Sequence, residues 1–125
     1  MDENYIAKIV VDIAYNIHTK LGPGLLESVY EVVLAHELQK RNLKIETKKA
    51  IPIVYKDIQF NEGFRADIIV EGKVIIELKS IEAISKVNKK QLLTYLRLSN
   101  IKLGLLINFG AALIKEGIFR IVNGL

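Results

Sequence analysis

The segment VIIELKSIEAI, residues 74 to 84, places two charged side chains inside an apolar run. Its first three residues are β-branched, and such a run is typical of a buried strand. Glu77 and Lys79 follow two positions apart, so a strand directs both to the same face of its sheet. Because charged side chains are rarely buried without a partner, the segment predicts either a salt-bridged strand face or a functional site.

The hydrophobic periodicity of the remaining chain predicts an α/β domain with a central mixed sheet and helices packed on it. One domain is expected over residues 1–125. Asp2 is the expected cap of the first helix, and LGPG, residues 21–24, separates that helix from the second. The helices are expected over about residues 3–20, 25–41 and 85–99. The strands are expected within residues 44–60, with a turn near Lys56–Asp57, and within 64–80, 102–109 and 117–122, which gives the order α, α, β, β, β, β, α, β, β.

The composition excludes several kinds of chemistry. The chain has no cysteine, which removes disulfides, thiolate zinc sites and cysteine nucleophiles. It has two histidines, too few for a histidine-built metal site, so any metal is expected to be a hard ion held by oxygens. A net charge of +4 suits an anionic partner without requiring one. No apolar run reaches membrane-span length and Met1–Asn4 is not a signal-peptide flank, so a cytoplasmic protein without a membrane partner is expected.

The loop length of one hairpin decides where Asp67 points. A two-residue loop at 71 and 72 pairs Val70 with Lys73, which turns Asp67 away from Glu77. A three-residue loop at 71 to 73, or a bulge, pairs Val70 with Val74, which sets Asp67 opposite Glu77. In the second arrangement the two carboxylates repel unless a proton or a cation lies between them.

The second arrangement suits a divalent metal such as Mg²⁺ or Mn²⁺. Asp67, Glu77 and the backbone carbonyl of Leu78 offer oxygen ligands, and water completes the coordination. A metal held there activates water and stabilises charge on a phosphate, with Lys79 assisting the water or the developing charge. The alternative is a strand face on which Glu77 and Lys79 are paired in solvent, because short motifs have many false positives.

The second predicted helix carries an acid on its apolar stripe. At 3.6 residues per turn, Glu27 aligns with Leu34 and Leu38. Glu27 is therefore either a further metal ligand, direct or through water, or a carboxylate favoured by the helix dipole. Tyr30 lies about one turn later, where it is either a hydrogen-bond donor to a carboxylate or phosphate or an ordinary half-buried tyrosine.

The third predicted helix carries a basic stripe of three side chains, Lys86, Lys90 and Arg97. They lie within about 40° of one another on a helical wheel. Such a stripe beside an acidic pocket suits a phosphate backbone, although a few lysines more often mark a solvated helix face. Gln91 and Tyr95 share another face of this helix.

Five segments together resemble the GxxExxY proteins, which are small members of the PD-(D/E)XK nuclease-like superfamily. They are LGPGLLESVYEVVLAHEL, with Gly24, Glu27 and Tyr30 as the signature, then FRADIIV, IIELKS, QLLTYL and GLLINFG in this order. The resemblance implies a restriction-endonuclease-like core. It also implies metal-dependent phosphodiester chemistry at Asp67, Glu77 and Lys79, with Glu27 as the helix-borne acid and Gln91 as a further site residue.

The sequence departs from this family in two places. Relatives often carry a His-Glu pair shortly before the glutamine, where this chain has Asn88 and Lys89. Ala66 stands where the superfamily's proline is expected. The leading hypothesis is a Mg²⁺- or Mn²⁺-dependent nuclease acting on nucleic acid, with DNA as the expected substrate and a homo-oligomer as an option. The alternative is a non-catalytic nucleic-acid-binding or oligomeric interaction protein that keeps the fold.

Overall fold

Three α-helices and five β-strands form the computed structural model, which describes every residue from Met1 to Leu125. The elements are α1 (Glu3–Leu21), α2 (Glu27–Lys40), β1 (Ile45–Tyr55), β2 (Ile58–Val70), β3 (Val74–Lys79), α3 (Lys86–Ser99), β4 (Leu103–Asn108), a 3₁₀ turn (Ile114–Gly117) and β5 (Ile118–Val122). Asp2 caps α1 as predicted, because its side chain accepts a hydrogen bond from the amide of Tyr5 at 2.8 Å. One strand fewer is present than predicted, since β2 runs without interruption where two strands were expected.

The five strands form one mixed sheet in the order β1-β2-β3-β4-β5. β3 and β4 are parallel, and the other neighbouring pairs are antiparallel. A parallel pair needs a crossover connection, and α3 supplies it. The predicted α/β architecture, a mixed sheet flanked by helices, is therefore confirmed.

The helices divide between the two faces of the sheet because each face buries its own apolar cluster. α1 and α2 cover one face, where their side chains pack against Ile68, Ile76 and Leu105 among others. α3 covers the other face, where Leu92 and Leu96 pack against Ile69, Ile75 and Leu106. No helix combines the length and the apolar character that a bilayer crossing requires.

A buried asparagine at the end of β4 fixes the loop that leaves β3. The side-chain oxygen of Asn108 accepts hydrogen bonds from the amides of Ile81 and Gly110, both at 3.0 Å. Its amide nitrogen donates to the carbonyl of Ile81 at 2.9 Å. Gly110 has to be glycine, because a Cβ there would lie 2.3 Å from the same carbonyl oxygen. This clasp, consisting of Asn108, Ile81 and Gly110, holds the chain just beyond Lys79.

We expect Asn108→Ala to lower the free energy of unfolding by about 2–4 kcal/mol, because the three hydrogen bonds made by a buried side chain are lost. Urea unfolding followed by circular dichroism measures the change. The control is Asn61→Ala in the exposed part of β2, which we expect to stay within about 0.5 kcal/mol of wild type. Equal effects of the two substitutions would contradict a special role for the clasp.

Candidate active site

The hairpin between β2 and β3 has the longer of the two predicted loops. Val70 pairs with Val74 and Ile68 pairs with Ile76, which leaves residues 71 to 73 as the loop. Glu71 and Gly72 both adopt positive φ angles in this loop, at 54° and 65°. The next position along the hairpin therefore brings Asp67 beside Glu77, as the three-residue alternative requires.

Asp67 and Glu77, called the carboxylate pair below, are joined through backbone amides. The amide of Asp67 donates to Glu77 Oε1 at 3.3 Å, and the amide of Leu78 donates to Asp67 Oδ2 at 2.8 Å. Glu77 is only 9% exposed, whereas Asp67 is half-buried and open on one side to solvent. The two acids thus lie together at the point where the β2–β3 ladder ends.

Burial, followed by the negative charge of Asp67, raises the pKa of Glu77 to about 8. Lys79 lowers this pKa, but by less than burial and Asp67 raise it. At neutral pH the carboxylate pair therefore holds a proton when no cation is present. A bound cation would replace that proton, which is the behaviour expected of two acids built to share a positive charge.

Lys79 lies on the same face of β3 as Glu77 and is half-buried. It takes part in none of the three ion pairs of the chain, which are Lys48–Glu31, Lys49–Glu46 and Arg65–Glu62. The alternative of a salt-bridged strand face is therefore not what the structure contains. The ammonium group of Lys79 remains available beside the carboxylate pair.

Glu27 is not gathered with the carboxylate pair as predicted. It is exposed, and no group of three or more His, Cys, Asp and Glu side chains in the chain is arranged to hold a metal ion. Glu27 instead lines an open cavity of about 610 Å³ together with Ser80 and Glu82. This cavity begins where β3 ends, so Glu27 adjoins the site without completing a three-acid cluster.

Glu31, one helical turn after Glu27, is an acid near Asp67 that the sequence analysis missed. It is 8% exposed, and burial, followed by the charge of Asp67, raises its pKa. Lys48 lowers that pKa from 3.8 Å away. The signal was present in the sequence, because Glu31 lies on the same stripe of α2 as Glu27 and Leu34.

The predicted contact between Tyr30 and nucleic acid is not available, because Tyr30 is fully buried. Its hydroxyl donates to the carbonyl of Gly22 at 2.6 Å and accepts from the amide of Leu25 at 3.1 Å. Its ring stacks on Phe109 with centroids 4.4 Å apart. Between these contacts lies Gly24, whose φ of 99° suits glycine. Gly24 and Tyr30 of the GxxExxY pattern therefore shape the turn that leads into α2.

Tyr95 of α3 belongs to the site, although no role was predicted for it. Its ring stacks on Phe64 of β2 with centroids 4.0 Å apart. Burial, followed by the charges of Glu77 and Asp67, raises the pKa of its hydroxyl, so the phenol lies within electrostatic reach of both acids. Gln91 is exposed one turn earlier on this side of α3.

The basic stripe of Lys86, Lys90 and Arg97 points away from this side of α3. All three side chains are exposed, but the wheel sets them about 140° from the direction of Gln91 and Tyr95. On the helical wheel, Lys89 lies closer to the stripe than Gln91 and Tyr95 do. Its ammonium lies 4.1 Å from the ring centroid of Phe119 on β5. The stripe therefore lies on the β5 side of α3, away from the side that carries Gln91 and Tyr95.

Comparison with protein families gives a match to the PD-(D/E)XK nuclease superfamily over residues 4–121, nearly the whole chain. The chain belongs to the PD-(D/E)XK nuclease superfamily. The matched region includes the carboxylate pair and Lys79. Searches of curated proteins and of solved structures gave no match.

Asn88 and Lys89, which stand where relatives often carry a His-Glu pair, both have structural roles. Asn88 is the third residue of α3, and it completes a capping box with Ser85. The Asn88 side chain accepts from the Ser85 amide at 2.9 Å, and the Ser85 hydroxyl accepts from the Asn88 amide at 3.1 Å. Lys89 packs over Phe119. Neither side chain makes a contact with the carboxylate pair.

We expect Glu77→Gln to stabilise the metal-free protein at alkaline pH. The ordinary pKa of this group is 4.5 and the folded value is about 8, so the folded state binds the proton more tightly than the unfolded state. This stabilisation is complete below about pH 4.5 and is lost as the pH rises through about 8. Each pKa unit corresponds to about 1.4 kcal/mol, so wild type should lose on the order of a few kcal/mol across this window.

Urea unfolding in EDTA between about pH 5 and pH 8.5 measures this effect. Relative to wild type, Glu77→Gln should show a flatter dependence of unfolding free energy on pH. Glu82→Gln, a change of an exposed acid in the next loop, should follow the wild-type curve. Parallel curves for wild type and Glu77→Gln would show that burial of Glu77 does not govern the pH dependence.

Proposed function

We propose that this chain is a Mg²⁺- or Mn²⁺-dependent nuclease that hydrolyses phosphodiester bonds in nucleic acid, with DNA as the expected substrate. The observation that supports it is the carboxylate pair, buried on one side and open on the other, beside an ammonium group without an ion-pair partner. Membership of the superfamily supports the same reaction class.

The donor atoms of the site fit a hard divalent cation. Mg²⁺ in proteins is usually held by one or two carboxylates, with water and substrate oxygens as the remaining ligands. Asp67 and Glu77 supply those carboxylates, and we assign the carbonyl of Leu78 as a third oxygen. Glu27 acts from the adjoining cavity through water. When bound, the cation supplies charge stabilisation for the phosphate and lowers the pKa of a coordinated water.

The chain's own residues bind and orient the reactants. Lys79 donates a hydrogen bond to the attacking water or to the phosphate oxygen that gains negative charge, because its ammonium lies on the face of Glu77 and is not neutralised. Gln91 and Tyr95 approach from α3 and orient groups around the phosphate by hydrogen bonding. Such preorganised donors are worth most where water is partly excluded, and Tyr95 is half-buried where its ring stacks on Phe64.

We expect Asp67→Asn and Lys79→Met to lower the rate of DNA cleavage about a hundredfold or more, the usual loss when a charge-stabilising group is removed. Plasmid and branched DNA with Mg²⁺ or Mn²⁺ are the substrates. Lys102→Met, a change of an exposed lysine before β4, is the matched control and should keep wild-type activity. In addition, Asp67→Asn should abolish Mn²⁺ binding in calorimetry. Equal residual cleavage by wild type and all variants would reject the catalytic roles.

The basic stripe is proposed as a secondary contact for the phosphate backbone. Nucleic acid that reaches both the carboxylate pair and the stripe must cross over α3, whose diameter with side chains is about 10–12 Å. The stripe should therefore contribute to the binding of long substrates and not to the binding of short ones.

Alanine at Lys86, Lys90 and Arg97 together should flatten the salt dependence of binding to a long duplex by up to about 0.9 per lost phosphate contact. The affinity for a short oligonucleotide should be unchanged. Fluorescence anisotropy at several salt concentrations measures both. Lys8→Ala on α1, an exposed lysine on the opposite face of the sheet, is the control. A duplex salt slope that matches wild type would remove the stripe from the binding surface.

A second candidate function is a non-catalytic nucleic-acid-binding module, and the engagement of Asn88 and Lys89 in other contacts favours it. In that case binding would depend on salt but not on metal. Glu77→Gln would leave binding unchanged, and no cleavage would be seen with any divalent ion. The same cleavage and binding assays therefore distinguish the two functions.

A further inference from the structure

Lys48 adopts a left-handed backbone conformation in the interior of a strand. Its φ is 50°, within β1, where extended conformations prevail. Lys56 has a similar φ of 56°, but it lies in the two-residue turn between β1 and β2, where hairpins commonly require this conformation. Lys48 does not lie in a turn, so its left-handed conformation is a local irregularity of the strand.

Across the β1–β2 ladder from Lys48 lies Asp67. Thr47 pairs with Ile68 and Lys49 pairs with Ala66, but Lys48 and Asp67 between them are not paired. The ladder is therefore open at one position, directly opposite an acid of the carboxylate pair.

β2 also changes face at Asp67. Ala66 is buried in the cluster beneath α3, whereas Ile68 is buried in the cluster beneath α1 and α2. In a regular strand, residues two apart lie on the same face. The backbone is thus rotated at Asp67 without a shift in register, because Thr47–Ile68 and Lys49–Ala66 keep the same register.

The rotation directs Asp67 toward β3. Its amide donates to Glu77 Oε1, and its carboxylate accepts from the amide of Leu78. The regular β2–β3 ladder ends at the pair Ile68–Ile76. Beyond that pair, the side chain of Asp67 supplies the hydrogen bond to β3. The geometry of the carboxylate pair depends on this arrangement.

The side chain of Lys48 is tied to α2 at the same place. Its ammonium lies 3.8 Å from Glu31 Oε2, and the Glu31 side chain is 11% exposed while that of Lys48 is 65% exposed. This ion pair connects β1 to α2 beside the rotated segment. It forms with Lys48 in its left-handed conformation.

We propose that Lys48 is a positioning residue, whose left-handed backbone opens the β1–β2 ladder so that Asp67 turns to Leu78 and Glu77. The ion pair with Glu31 holds Lys48 in that conformation. The catalytic consequence rests on the proposed function, but the structural claim does not.

The hydrogen-exchange rate of the Leu78 amide measures this positioning independently of any enzyme activity. Hydrogen exchange by NMR compares Leu78 with Leu105, a buried reference in β4, so that a change in global stability cancels. Lys48→Val should speed the relative exchange of Leu78 about tenfold or more, because valine disfavours positive φ. Lys48→Gly should stay within about threefold of wild type, because glycine adopts positive φ freely. Lys48→Met, which removes only the ion pair, should fall between them.

Lys56→Val is the matched control, because it imposes the same substitution on a left-handed lysine of the same hairpin, away from Asp67. It should leave the ratio of Leu78 to Leu105 unchanged. If Lys48→Val does not fold, Lys48→Asn and Lys48→Ala replace it, and the asparagine variant should keep the ratio closer to wild type. An unchanged ratio in Lys48→Val, or equal ratios in the Asn and Ala variants, would overturn the proposal.

Cleavage assays separate this proposal from the proposed function. If wild type cleaves DNA, Lys48→Val should lose on the order of a hundredfold in turnover, as expected for a reacting group misplaced by about 1 Å, while Lys48→Gly keeps most activity. If the exchange ratios follow the proposal but wild type cleaves nothing, the positioning role stands and the nuclease function fails. If wild type cleaves and Lys48→Val matches it in both measurements, only the positioning role fails.

Discussion

The mutual repulsion of Asp67 and Glu77 is the constraint on which the candidate site depends. Two carboxylates on adjacent strands, one of them 9% exposed, are costly in a sheet that is otherwise apolar. Burial, followed by the charge of Asp67, raises the pKa of Glu77 to about 8, so the metal-free fold holds a proton here at neutral pH. A protein selected for stability alone would place apolar residues here. The proposed metal site would account for the retention of this repulsion.

The surrounding fold fixes the strands and loops around the pair and leaves the pair itself accessible. The buried hydroxyl of Tyr30 shapes the turn before α2, and the Ser80 hydroxyl, which donates to the carbonyl of Leu25 at 2.6 Å, ties that turn to the end of β3. The Asn108 clasp holds the following loop from the other side. Polar groups that are fully hydrogen-bonded act here as rigid supports. Beside the carboxylate pair, Lys79 takes part in none of the three ion pairs of the chain.

Much of this architecture could be predicted from the sequence because it follows from periodicity and turn chemistry. The helix bounds differ from expectation by about two residues at most, and the turn at Lys56–Asp57 and the 71–73 loop are present. The sequence left the hairpin register open because Gly72 permits both loop lengths. The direction of the basic stripe could not be predicted, since the rotation of α3 about its axis is set by the Tyr95–Phe64 and Lys89–Phe119 contacts. Lysine carries no signal for a left-handed conformation within a strand, so Lys48 was not predicted either.

Asn88 and Lys89 stand where relatives often carry a His-Glu pair, so α3 offers fewer residues for the proposed reaction. Because Asn88 caps α3 and Lys89 lies over Phe119, α3 can turn toward the carboxylate pair only the side that carries Gln91 and Tyr95. Neither of these is a strong base at neutral pH. In the proposed reaction, proton transfer from water would therefore be made by groups on the strands, where Lys79 and the carboxylate pair are the candidates. A site with only these three charged residues depends on where they lie. The irregular backbone at Lys48 and Asp67 is the part of β1 and β2 that determines those positions.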